Sequence, residues 1–295
     1  MSAHVLSTQL QPSANVAFEF VRSLAAELSA GKVDLPSFPE IAVRVRRVLS
    51  DPKSSVDQVV RVVGSEPALA ARLMRISNSA SLNRTGRAVG DLRTAINRLG
   101  YNMVRSAAIS FAMAQIRNAN KLAGLEPYLD DLWKQSTRVA AFSYVLARTC
   151  STVNPDEAML AGMMHGIGKL YVLTRATSHV ELFADSAMLD SIISDWHASI
   201  GKAILENWEF SEAMADAVGE QHDHSREDVE KPDLRDVLAI AIVMAGFEAS
   251  NLEGLNAALE ELADAQRMGL DDEKTRSVVE DCAEEVKALT NALGN

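Results

Sequence analysis

A chain of 295 residues, 47% apolar and 23% charged, is long enough for one large core or two modest ones. Its longest apolar run, 238–247, is about half the ~20 residues that cross a bilayer, residues 1–14 hold no apolar signal core, and Cys150 and Cys282 form no CxxC pair; a cytoplasmic protein without membrane contact is expected. The formal net charge of −11 divides into +7 over residues 1–119 and −18 over the rest, so the two surfaces either face each other or leave a basic half for an acidic partner.

The composition favours helix, and helical signals follow in chain order. Residues 15–30 have helical apolar spacing with Gly31 as a C-cap. Pro36 and Pro39 turn the chain into a helix over 39–50 that stops at Asp51-Pro52. Ser55 caps a short helix to Val63, and Ser65-Glu66-Pro67 opens another to about Ser77. Residues 80–90 read as a loop, and a long helical stretch from Asp91 to about Asn118 is interrupted near Gly100. Over 130–149, Leu132, Trp133, Ser136, Val139, Ala140 and Ser143 form a core-facing stripe. Asn154-Pro155-Asp156-Glu157 starts a helix that two glycines, Gly166 and Gly168, end or loosen. Further helices are predicted at 187–207, 211–222, 234–250, 255–268 and 272–293. No strand alternation is present, so the expected class is all-α, a two-part helical bundle.

Two groups of residues carry more than periodicity. Leu35-Pro36-Ser37-Phe38-Pro39-Glu40, then Glu66-Pro67-Ala68-Leu69, Leu73-Met74 and Asn78-Ser79-Ala80, then Ala95-Ile96-Asn97-Arg98-Leu99-Gly100, resemble the opening half of HDOD domains over about residues 35–115. Asn78-Ser79 reads as a helix end that satisfies backbone groups, with a binding contact as the alternative. Downstream, Gln135-Ser136-Thr137-Arg138-Val139-Ala140, Ala161-Gly162-Met163-Met164-His165-Gly166-Ile167-Gly168-Lys169, His197-Ala198-Ser199-Ile200-Gly201 and Gln221-His222 are similar to the metal-binding segments of HD-superfamily phosphohydrolases. In such enzymes imidazoles and carboxylates hold divalent metals that activate water toward phosphorus.

What the resemblance implies for this chain is a degenerate site. The family's first histidine falls on Gln135, its HD doublet on His165 and Gly166, its later histidines on His197 and His222, and its last aspartate near Ala245 and Gly246. One imidazole and both carboxylates are gone. The reading therefore assigns no catalytic residue and no cofactor; a divalent metal on His165, His197 and His222 is the alternative, since His₃ sites exist where a second shell orients them. Lys169, expected to interact with a helix-end dipole, joins His165 and His197 in a candidate ligand groove. His224 lies off the helical face of His222 and reads as surface.

The resemblance implies a non-enzymatic signal-transduction regulator with a signalling-protein partner or a nucleotide or other small ligand, and a homo-oligomer as an open alternative. A residual metal-dependent phosphohydrolase is the second reading. Nucleic-acid binding through Arg44, Arg46, Arg47, Arg72, Arg75, Arg84 and Arg87 is the third and is not favoured, given the overall acidic charge. The expected organisation is an N-terminal extension over 1–30, an HDOD domain over 31–250 divided at 119/120, and acidic helices over 251–295.

Overall fold

The computed structural model describes residues 11–30, 40–51, 53–78, 88–117, 125–179, 181–226 and 230–293, and every regular element among them is an α-helix. No helix among them is long and apolar enough to cross a membrane. Gly31, Pro36, Pro39, Ser79, Ala80, Arg84 and Arg87 fall outside the described residues.

The N-terminal part packs α2 (Glu40–Ser50), α3 (Val56–Gly64), α4 (Pro67–Ser77) and α5 (Leu92–Arg117) around Val45, Val59, Val63, Leu69, Leu73 and Ile96. Ser55 closes α3 reciprocally: its hydroxyl accepts from the Gln58 amide, and the Gln58 side-chain oxygen accepts from the Ser55 amide. Asn78 is the C-cap of α4. Its amide donates to the carbonyls of Met74 (3.0 Å) and Val89 (3.1 Å), and its oxygen accepts from the Val89 amide at 2.7 Å. The capping role of Asn78 is thus fully accounted for without a ligand. Gly100, at φ 75°, bends α5 where the sequence places the interruption.

The second part is built on α6 (Glu126–Cys150), which packs against α7 (Pro155–Met164) and α12 (Leu234–Ala245). Between these lie α8 (Ile167–Ala176), the single turn α9 (Glu181–Ala184), α10 (Ser186–Asn207) and α11 (Glu212–Gly219). The sequence reading has no element at α8. The two glycines suggest a helix end there, but only Gly166 stands at a break; Gly168 lies inside the next helix. A Cβ on Gly168 would sit 1.8 Å from the His197 carbonyl oxygen, so this glycine serves the backbone contact of α8 with α10 rather than ending a helix.

The chain ends do not stand apart. Helix α1 (Gln11–Ser29) buries Phe20 and Leu24 and packs on α9 and α10, with the Phe20 ring edge-on to His179 at 5.3 Å. Glu27 accepts the Tyr171 hydroxyl and pairs with Arg175. The predicted helix over 255–268 is two, α13 (Leu252–Glu260) and α14 (Ala263–Arg267). Helix α15 (Asp272–Leu293) lies along α6 and reaches α4 and α5, so it joins the two parts.

Candidate functional site

Helix α7 ends at His165, α8 begins after Gly166, α10 carries His197, and the chain leaving α11 carries Gln221 and His222. These ends converge. His165 and His197 are buried, at 1% and 3% exposure, while His222 is exposed.

Carbonyl partners fix the tautomers. A carbonyl only accepts, so His165 Nδ1, 2.7 Å from the Gly162 oxygen, carries the proton, and so does His197 Nδ1, 2.8 Å from the Ile193 oxygen. In the neutral rings both Nε2 atoms then hold lone pairs. His222 Nε2 lies 3.1 Å from His197 Nε2 and donates to it. The His165 Nε2 lone pair is buried with no partner. Ser143 Oγ and Gln221 Oε1 are among the other buried atoms in that condition, although the Gln221 amide donates to the His165 carbonyl at 3.3 Å. Sequence reasoning passed over Gln221 as a site residue; its only signal is adjacency to His222.

Burial pushes the His165 imidazole down to about 3 and the His197 imidazole down to about 4, and lowers that of His222. The Lys169 ammonium opposes protonation of all three. Lys169 is half-buried, and burial depresses its own pKa. The expected helix-dipole role fails on position: Lys169 is the third residue of α8, at the helix's positive end, where a cation gains nothing from the dipole.

The candidate metal chemistry can be tested against these residues. The Nδ1–H···O=C bonds of His165 and His197 are of the kind that orient metal-binding imidazoles. The rest does not follow. Gly166 supplies no carboxylate, and a Cβ there would meet Leu132 Cδ1 at 2.5 Å. The space beside it, about 30 Å³, is lined by Leu129, Leu132, Trp133, Ser136, Met163 and Leu170. Gln135 is half-buried on α6, and Gly246, the C-cap of α12, has no donor side chain; beside it Arg138 donates to the Phe247 carbonyl at 2.7 Å. Among the described residues no three His, Cys, Asp or Glu side chains converge as a metal site. The residues present do not fit the dinuclear centre of the phosphohydrolases. They present open acceptors on His165 Nε2 and Gln221 Oε1 beside one ammonium, whose charge opposes a divalent cation.

His224 is not the surface residue its spacing suggests. Its Nδ1 lies 2.8 Å from Oδ2 of Asp264 on α14, a carboxylate 1% exposed. Arg267 bridges Asp264 and Asp236, and Arg226 pairs with Asp233 at 2.7 Å. In the basic N-terminal half Arg72 is 4% exposed, and Arg46 pairs with the exposed Glu209 at 3.2 Å.

Comparison with known proteins agrees with this architecture. The family model for the HDOD domain matches residues 35–224. A solved protein of Shewanella amazonensis SB2B, named as a candidate metal-dependent phosphohydrolase, is 27% identical, with a TM-score of 0.71, over 92% of this chain and 99% of its own. An HDOD domain protein of unknown function from Geobacter sulfurreducens is 21% identical, with a TM-score of 0.66, over 97% and 99%, and shares the fold. A candidate signal transduction protein from Marinobacter aquaeolei VT8 is 20% identical, with a TM-score of 0.64, over 96% of this chain and 69% of its own, and also shares it. An uncharacterized protein of Treponema pallidum is 25% identical over 214 residues, 68% of this chain but 40% of that protein's length.

Proposed function

As the chain belongs to the HDOD domain family, we propose that it is a non-catalytic signal-transduction regulator that works by binding a protein partner or a small ligand at a degenerate phosphohydrolase site. The observation that carries this reading is the closure of position 166: the carboxylate of the HD doublet is replaced by a glycine, and Leu132 occupies the space where its side chain would begin. A hydrolytic metal pair needs negative charge to hold it, and the nearby Lys169 supplies the opposite. The same ammonium, with the Gln221 and His165 lone pairs, suits a small ligand that carries both an anionic group and a hydrogen-bond donor. The signalling assignment draws on the name of the Marinobacter protein, whose fold this chain shares.

The test is metal analysis of protein purified without chelators, together with hydrolysis of bis(p-nitrophenyl) phosphate in added Mn²⁺. The expected outcome is substoichiometric metal and no turnover. Stoichiometric Mn, Fe or Zn with turnover that disappears in His165→Ala would overturn the proposal. It would establish the second reading, a residual phosphohydrolase, which draws on the retained orientation of His165 and His197 and on the Shewanella protein's name.

A further inference from the structure

A cavity of about 290 Å³ lies where α6, the turn after α12, α13 and α15 meet, and it shares no lining residue with the histidine cluster. Its walls are mostly apolar. Phe142 of α6, Met244 of α12, Leu255 of α13 and Val279 of α15 line it, and all four are buried. It meets solvent at Glu248, Ala249 and Ala283, which are exposed. Folded interiors keep few voids larger than a water molecule, so apolar walls left this far apart mark a place where another apolar group completes the packing.

One cation stands among these walls. Arg138 of α6 lines the cavity, and its Nη2 donates to the carbonyl of Phe247, itself a lining residue, at 2.7 Å. Burial pushes the Cys282 thiol up to about 12 and the Arg138 guanidinium acts on it in the opposite sense, so the positive charge reaches the α15 wall as well. The Phe247 bond has a structural explanation, since a cation suits the chain leaving a helix C-terminus. It takes one of the five N–H donors of a guanidinium and meets a carbonyl dipole, not a charge. No carboxylate among the described residues pairs with this half-buried group. Glu248, the other charged lining residue, makes no ion pair with it and is exposed, where water and salt screen its charge. Further along α6 the arrangement differs: Arg148 meets Asp281 of α15 at 3.2 Å, whereas at the cavity α15 offers only Val279, Cys282 and Ala283.

An apolar chamber with one guanidinium that lacks a counter-charge is the complement of an amphipathic monoanion. We propose that this cavity binds a medium-chain fatty acid, its carboxylate on Arg138 and its alkyl chain against Phe142, Met244, Leu255 and Val279. A carboxylate accepts two parallel N–H bonds from a guanidinium. A phosphate head would bring a second negative charge that no other lining cation meets. Pockets for drug-sized ligands run to roughly 300–1,000 Å³, so the volume suits one short chain and not the two chains of a phospholipid.

Calorimetric titration of the full chain with sodium octanoate, below its micelle concentration, tests this. Saturable one-to-one binding is expected. Acetate, which lacks the chain, and 1-octanol, which lacks the charge, each bind roughly tenfold or more weakly. Arg138→Gln removes the charge but keeps a side-chain amide donor; it weakens octanoate by the same factor and leaves 1-octanol unchanged. Ala283→Phe, at an exposed position of the mouth, fills the cavity and weakens octanoate as well. If Arg138→Gln does not fold, Ala283→Phe and the octanoate–octanol comparison on the unaltered chain decide. Absence of saturable octanoate binding, 1-octanol binding as tightly as octanoate, or octanoate affinity unchanged in either folded variant overturns the proposal.

Discussion

Two buried polar clusters lie within a few residues of each other in the second part of the chain, and they are finished differently. Around Asp236 and Asp264, both 1% exposed, the carboxylate oxygens are taken up: Asp236 by Arg267 at 2.8 Å and by the Asp233 amide at 2.9 Å, Asp264 by His224 and Arg267. Around His165, also 1% exposed, the ring nitrogen, Ser143 Oγ and Gln221 Oε1 have no partners. An unpaired buried polar atom costs about 1–3 kcal/mol, and native proteins keep few of them. In the carboxylate cluster the acceptors are all taken up and Arg267 Nε is left over, while its ion pairs hold α14 to α12; in the histidine cluster it is acceptors that stay open. The second part has not run out of buried carboxylates; its buried Asp236 and Asp264 lie where Arg267 neutralises them rather than beside His165, His197 and His222.

The contrast predicts the largest loss in the carboxylate cluster. Asp236→Asn leaves Arg267 and Arg226 short of a buried counter-charge and should cost about 3–5 kcal/mol by chemical denaturation. A cost near that of a surface ion pair, under about 1 kcal/mol, would dissolve the distinction between the two clusters.

The histidine cluster predicts an intermediate effect that depends on pH. His165 and His197 titrate near 6.5 when unfolded and at about 3 and about 4 when folded. A base whose pKa is depressed by folding leaves the unfolded chain holding the extra proton below pH 6.5. The stability is full above that pH and lost as pH falls toward the folded values. Between pH 7 and pH 5 each histidine accounts for about 2 kcal/mol of loss. Denaturation midpoints at the two pH values measure it, and His165→Gln and His197→Gln should each flatten the dependence; a wild-type-like slope in both variants would sink the assignment.

The smallest effect sharpens the account of position 166. Gly166→Ala should cost about 1 kcal/mol because Leu132 has to turn aside, and Leu132→Ala should remove that cost in a double-mutant cycle. Strict additivity of the two substitutions would mean that Leu132 does not close the position.

Much of the fold was legible because helix starts are local. The Ser55 box, Pro67, Asn154 and Asp233 are read from a few adjacent residues, and the helices begin where they stand. Helix α8 was not legible, since a glycine needed for contact with a distant carbonyl looks, in one dimension, like a helix breaker. His165, His197 and His222 were found by their motif context, and two of the rings meet directly. Lys169 was placed at the wrong end of a dipole for the same reason that α8 was missed: without the helix, its first turn cannot be seen.

From the sequence alone came the helical class and the family resemblance, both of which depend on residue type and short spacing. Tertiary structure alone decided which buried groups are satisfied. The His224–Asp264 contact, the Leu132 side chain against Gly166 and the unpartnered Arg105 Nε each join residues from separate segments, or leave an atom unjoined, in ways that side-chain packing determines. Hydrogen-bond reach is about 3 Å, and no periodicity along the chain resolves a distance that short between residues thirty or more positions apart.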